Sequence, residues 1–130
     1  MKTKTIKQTV SFKASPHDIY EILMDSKKHA KFSGEAAKIS RSVGAKFSVY
    51  GGYIQGTNLE LVQDEKIVQD WHSQGWPKDH HSKVTFQLKK HGKGCRLTFS
   101  HADVPEDDYL AKKQGWKEHY WDRIKAMLQA

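Results

Sequence analysis

The sequence predicts an α+β fold in which a curved antiparallel sheet of about six strands closes around a long C-terminal helix. Three observations predict it. Apolar residues alternate with a period of two in successive segments between Ile6 and His101. A proline-primed helix start interrupts those segments once, at Ser15-Pro16-His17-Asp18. Beyond Pro105 the apolar period becomes helical and stays so to the end of the chain.

The elements follow in order. Ile6, Val10 and Phe12 share one parity and Lys7, Ser11 and Lys13 the other, which marks a half-buried first strand. Ser15 then offers a cap hydroxyl, and Pro16 has no N–H left to satisfy. Ile19, Ile22 and Leu23 form the buried side of the helix that follows. Asp25-Ser26 caps a second short helix with Ala30 and Phe32 as its apolar contacts and Gly34 as its stop. From Lys38 the texture changes to short strands. Phe47 and Val49 lead to a bend at Gly51-Gly52, and Ile54–Val62 reads as a strand with a bulge at Gly56. Asp64-Glu65 turns into the strand Ile67–Ser73, and residues 74–79 form a loop around Gly75-Trp76-Pro77. Val84, Phe86 and Leu88 share a face of Ser82–Lys90. After the turn at His91-Gly92-Lys93-Gly94, Leu97, Phe99 and His101 share a face of the returning strand.

The last helix opens on Glu106, Asp107 and Asp108, whose charges suit the positive end of the helix dipole. Tyr109, Trp116, Tyr120, Ile124 and Met127/Leu128 form one stripe over about 24 residues, or about 36 Å. Gly115 interrupts this helix, so a close-packing reason is expected there. Trp121 falls beside the stripe, and partial exposure is expected of it. An apolar sheet face must be covered, and the last helix alone is long enough to cover it. The result is the helix-grip arrangement, read as a single domain over residues 1–130.

Composition narrows the function. The 22 Lys+Arg outweigh 15 Asp+Glu for a formal charge of +7, with ten cations and four acids in residues 1–50. Nineteen of the cations are lysine, and only Arg41, Arg96 and Arg123 carry the planar fork that base and phosphate recognition favours. Nucleic acid is therefore not an expected partner, and the excess reads as a solvated surface with a weak pull on acidic partners. The single cysteine, Cys95, excludes an intramolecular disulfide framework and a thiolate zinc cluster, and suits a reducing compartment. With no long apolar run and no signal-peptide pattern, the expectation is a cytoplasmic protein that spans no membrane.

Eight histidines stand in no metal-ligand spacing, so neither a metal nor another cofactor is expected. Asp70 and His72 share a strand face without a nucleophile beside them, which leaves no catalytic set. The aromatic residues carry more. Trp71, Phe86, Phe99, Trp116 and Tyr120 face the space between sheet and helix, as core fillers or as the lining of an apolar cavity. His101, near a strand end, either reaches water or gives such a ligand a polar handle. Because bulky rings outnumber small residues along the stripe, the cavity is expected to be narrow and largely filled.

Several segments also carry a resemblance. These are Phe12–Leu23 with Ser15-Pro16, Gly51-Gly52-Tyr53-Ile54-Gln55-Gly56, and Trp71 followed by Ser73-Gln74-Gly75-Trp76-Pro77. Ser82–Phe86 and Gln114-Gly115-Trp116 followed by Tyr120 complete an ordered set between Val10 and Leu128. Together they resemble the C-terminal-type domain of the activator of Hsp90 ATPase homologue family, within the Bet v1/START-like (SRPBCC) superfamily. The resemblance implies the helix-grip fold and a non-enzymatic, co-chaperone-like role with an Hsp90-type chaperone as partner. In eukaryotic members this domain follows a larger one that holds the chaperone's middle segment. The present sequence opens at its first strand, so contact without that clamp is expected. The alternative is a carrier or minor enzyme for a small hydrophobic ligand held by Trp71, Phe86, Phe99, His101, Trp116 and Tyr120.

Overall fold

Strand β1 (Thr3–Phe12) crosses the molecule and ends where Ser15 caps helix α1 (Pro16–Met24). The Ser15 hydroxyl accepts from the Asp18 amide at 3.1 Å, and the proline occupies the first turn. Asp25 closes α1 and starts α2 (Ser26–Ser33), its carboxylate accepting from the Lys27 amide at 3.2 Å. Gly34, at φ 75°, ends α2 in the left-handed conformation that glycine adopts without strain. In this computed structural model, which describes residues 1–129, the chain then runs through β2 (Lys46–Val49), β3 (Ile54–Val62), β4 (Lys66–Ser73), β5 (Ser82–His91) and β6 (Gly94–Pro105). The six strands form one antiparallel sheet in the order β1-β6-β5-β4-β3-β2.

The topology places β1 and β2, consecutive strands of the chain, at opposite edges of the sheet. Each strand from β2 to β5 pairs with its successor, and β1 closes on β6 with Val10 opposite Leu97 and Phe12 opposite Cys95. The inward faces meet in the expected parity: Ile6, Ile67, Val84 and Leu97 are wholly buried. Gly56 is not a bulge. It pairs regularly with Trp71, and the register shifts two residues later, between Asn58 and Glu60. The glycine is needed for closeness instead, since a Cβ there would lie 2.7 Å from the Phe47 ring and closer still to the Asp70 carbonyl.

The final helix begins as a 3-10 turn (Glu106–Asp108) and continues as α3 (Tyr109–Gly115), a π-helical turn (Trp116–Trp121) and α4 (Asp122–Gln129). In an unbroken α-helix, Trp121 would sit about 140° around the axis from Trp116. The π turn, with the Asp122 amide bonded to the Lys117 carbonyl, brings residues five apart towards one face. Trp116 and Trp121 consequently stack at 5.6 Å and 21°. Trp121 is buried, not partly exposed as its α-helical position predicted, and its indole N–H donates to Gln8 Oε1 of β1 at 2.7 Å. Gly115 has no tight neighbour either. A Cβ at that position would meet only His119 Cδ2, at 3.7 Å, so the expected close packing is absent.

Candidate functional site

The tryptophan-rich interior is organised by one buried histidine. His101 sits in β6 with no exposed surface, packed edge-on against Trp71 and Trp116 at 5.1 and 5.8 Å between ring centroids. It does not reach water, because the helix and the loop carrying Trp76 cover the strand at this point. The Trp116 indole N–H donates to His101 Nδ1 at 3.0 Å. An indole nitrogen only donates, so Nδ1 must be the acceptor and the proton sits on Nε2. Nε2–H then donates to Ser82 Oγ at 2.7 Å, and the serine hydroxyl donates to the Trp71 carbonyl at 3.2 Å. Every polar atom of this chain of bonds has a partner. Burial pushes the imidazole down to about 3, with the nearby Lys112 ammonium adding to the effect.

A second buried histidine lies across the core. His29 of α2 shares a 3.1 Å hydrogen bond between Nε2 and the Tyr120 hydroxyl, and burial lowers it to about 4. Its Nδ1 has no hydrogen-bond partner. Burial also raises the Tyr120 hydroxyl well above the ordinary tyrosine range.

Beside this core lies a cavity of about 430 Å³. Its floor is Trp71, Trp116 and Tyr120, and its outer wall is Tyr50 and Tyr53 from the short segment between β2 and β3. The Tyr50 hydroxyl donates to the His119 carbonyl inside the π turn, tying the wall to the helix. Tyr50, Gly51 and Gly52 all take positive φ, at 53°, 65° and 96°, and this sharp turn aims both tyrosines at the helix. Glu35, Asp108 and Lys112 supply the charges of the lining.

Of the six residues expected to line an apolar cavity, the structure brings Trp71, Trp116 and Tyr120 to the opening. Phe86, Phe99 and His101 pack behind them, with Phe99 4.3 Å and Phe86 5.8 Å from the Trp116 ring. The space beneath the helix is therefore filled as expected, while the end near Tyr50 is wider than expected. Sequence reasoning missed Tyr50, Tyr53, Asp108 and Lys112 as walls. The available signals were aromatic residues flanking Gly51-Gly52 and an acid and a lysine four residues apart at a helix start.

His17, His72, His80, His81 and His91 are tied to individual partners. His72 Nδ1–H donates to the His80 carbonyl at 2.8 Å, and His81 Nδ1 bonds Asp70 Oδ2 at 2.8 Å. His80 and His81 precede β5 rather than lying within it. Among the described residues, no cluster of three or more His, Cys, Asp or Glu side chains is placed to hold a metal ion.

The same fold recurs in an HSP90 activator from Plasmodium falciparum, with a TM-score of 0.91 at 23% identity over 96% of both chains. By sequence, the chain is 36% identical over 124 residues to an activator of 90 kDa heat shock protein ATPase homolog from Dictyostelium discoideum. It is 26% identical over 121 residues to the human activator homolog 1. These alignments take in 95% and 93% of the present chain but only 32% and 35% of the relatives, so the chain spans about a third of their length. Residues 13–129 match the family described as Activator of Hsp90 ATPase homolog 1-like protein. That span holds every cavity wall and the whole His101 network, and the chain belongs to this family.

Proposed function

We propose that the protein is a non-enzymatic, co-chaperone-like regulator that binds an Hsp90-type chaperone or modestly stimulates its ATPase. The observation that carries this reading is the family match over residues 13–129, joined by relatives whose names describe activators of that ATPase. The charge supports it, since a chain of net charge +7 is steered towards acidic surfaces. The test is a pull-down with an Hsp90-type chaperone, with the chaperone's ATP turnover measured beside it. Saturable binding with a raised rate is the expected result. Neither binding nor a rate change at high micromolar protein overturns the reading.

The 430 Å³ aromatic cavity favours a second reading, a carrier for a small ligand of largely apolar body. Its volume is that of a site for a drug-sized molecule. Tryptophan fluorescence reports on it directly, because Trp71 and Trp116 form the floor. Flat titrations across sterols, fatty acids and flavonoids would remove the purely hydrophobic form of this reading.

A further inference from the structure

The lining of the cavity is chemically one-sided. Five Tyr and Trp rings line it together with the His119 imidazole, and the face of a Tyr or Trp ring carries the negative part of the aromatic quadrupole. Its charged groups are Glu35, Asp108 and Lys112. Asp108 and Lys112 neutralise each other through a 2.9 Å ion pair, with the lysine side chain only 14% exposed. Glu35 has no ion-pair partner among the described residues, so its carboxylate is left to face the opening alone. Donors that would hold an anion are mostly committed elsewhere. The Trp116 N–H goes to His101, the Tyr50 hydroxyl to the His119 carbonyl, and the Lys112 ammonium to Asp108. Arg123 is not part of the lining; one of its N–H groups donates to the Ser33 carbonyl at 2.6 Å, and its charge acts on the Tyr50 hydroxyl from outside the cavity. The charges of the lining itself sum to −1, against +7 for the whole chain.

The fold already holds one ammonium in this manner. Lys112 Nζ lies 5.3 Å from the Tyr53 ring centroid and 5.7 Å from that of Trp76, within cation–π range of both. The Asp108 carboxylate that anchors it also accepts the Trp76 indole N–H at 2.7 Å, which fixes the ring in place. Aromatic faces with a carboxylate at the rim form the usual receptor for a substituted ammonium group.

We propose that the cavity binds an organic cation, an amine or quaternary ammonium with an apolar body, its charge near Glu35 and its body against Trp71, Trp116 and Tyr120. The inference rests on the carrier reading and names its ligand class. It is tested on the full chain with three phenyl probes: phenyltrimethylammonium, its neutral carbon isostere tert-butylbenzene, and the smaller anion benzoate. Binding is read by calorimetry and by the indole N–H resonances of Trp71 and Trp116. The expected result is an affinity for the cation at least 10-fold above that for the isostere, with benzoate weakest. Glu35 is exposed, so Glu35→Gln leaves the fold intact; it should weaken the cation several-fold and leave tert-butylbenzene unchanged. Equal affinity for cation and isostere, or a Glu35→Gln variant with undiminished cation affinity, overturns the cation assignment and leaves the carrier reading standing. Binding of none of the three overturns both.

Discussion

His101 shows how far a single residue can be set by its surroundings. A neutral imidazole that accepts from Trp116 and donates to Ser82 suits a sealed core, and a protonated one would lose the Trp116 bond. The unfolded side chain titrates near 6.5, while the folded one is lowered to about 3 and His29 to about 4. Between those values the unfolded chain binds more protons, so the stabilisation is complete above pH 6.5 and fades as acid is added. Near pH 5 each histidine should contribute a slope of about 1.4 kcal/mol per pH unit. Urea midpoints measured from pH 7 to pH 4.5 should fall less steeply for His101→Asn than for the parent. An unchanged slope would mean that His101 titrates normally in the folded protein. Trp116 is the other residue on which the core turns, touching Trp71, Phe86, Phe99, His101, Tyr120 and Trp121. Trp116→Ala should cost about 3–5 kcal/mol, because the cavity left behind has many neighbours to lose. A variant melting within a degree or two of the parent would contradict this packing.

At the scale of elements, the two glycines marked by the sequence have opposite roles. Gly115 lies at φ −61° and ψ −41°, ordinary helical values, with only a loose neighbour in the Cβ direction. Gly115→Ala should therefore stabilise the helix by up to about 1 kcal/mol, through the usual alanine advantage. Gly56 has no such freedom, since its side-chain space is taken by the Asp70 carbonyl and the Phe47 ring. Gly56→Ala should cost about 1–3 kcal/mol as β3 shifts away from β4 and the Phe47 ring of β2 gives way. Thermal melts of the pair are the check, and the same sign for both would contradict the contrast. The π turn between α3 and α4 is what makes the helix fit the sheet, for it seats Trp116, Tyr120 and Trp121 together. A strict period of 3.6 puts only the first two on one side.

Across the whole molecule, the topology redistributes charge that looks concentrated in sequence. Lys2, Lys4, Lys7 and Lys13 lie exposed along or beside β1, and Lys38 and Lys46 lie exposed at β2. These are opposite edges of the sheet, and Lys27, Lys28 and Lys31 lie exposed on α2, so the basic first third is spread over three places and does not form one patch. Attraction of this spread kind acts on encounter more than on the bound state. The rate of association with an acidic chaperone surface should thus fall steeply between 50 and 300 mM salt while dissociation changes little. Stopped-flow traces at the two salt concentrations measure both rates, and a salt-insensitive association rate would leave the charge without this role.

Periodicity and capping are local, so the order and type of the elements are legible in the amino-acid pattern alone. Ser15-Pro16, Asp25 and Gly34 bound α1 and α2 through bonds within a few residues, and alternation alone placed Ile6, Val84, Leu97 and Phe99 inside. The ordered motifs from Phe12 to Tyr120 also carried the family, confirmed by the match over residues 13–129. Tertiary structure decided the rest. Whether Trp121 is buried depends on a π turn set by how the helix meets β1, and whether His101 meets water depends on the loop holding Trp76. The cavity walls come from Tyr50, Trp71 and Trp116, drawn from three elements that meet only when the sheet closes on the helix. A local pattern specifies which face of an element is apolar; the gap left between two such faces depends on the packing of both, and only the folded chain holds that information.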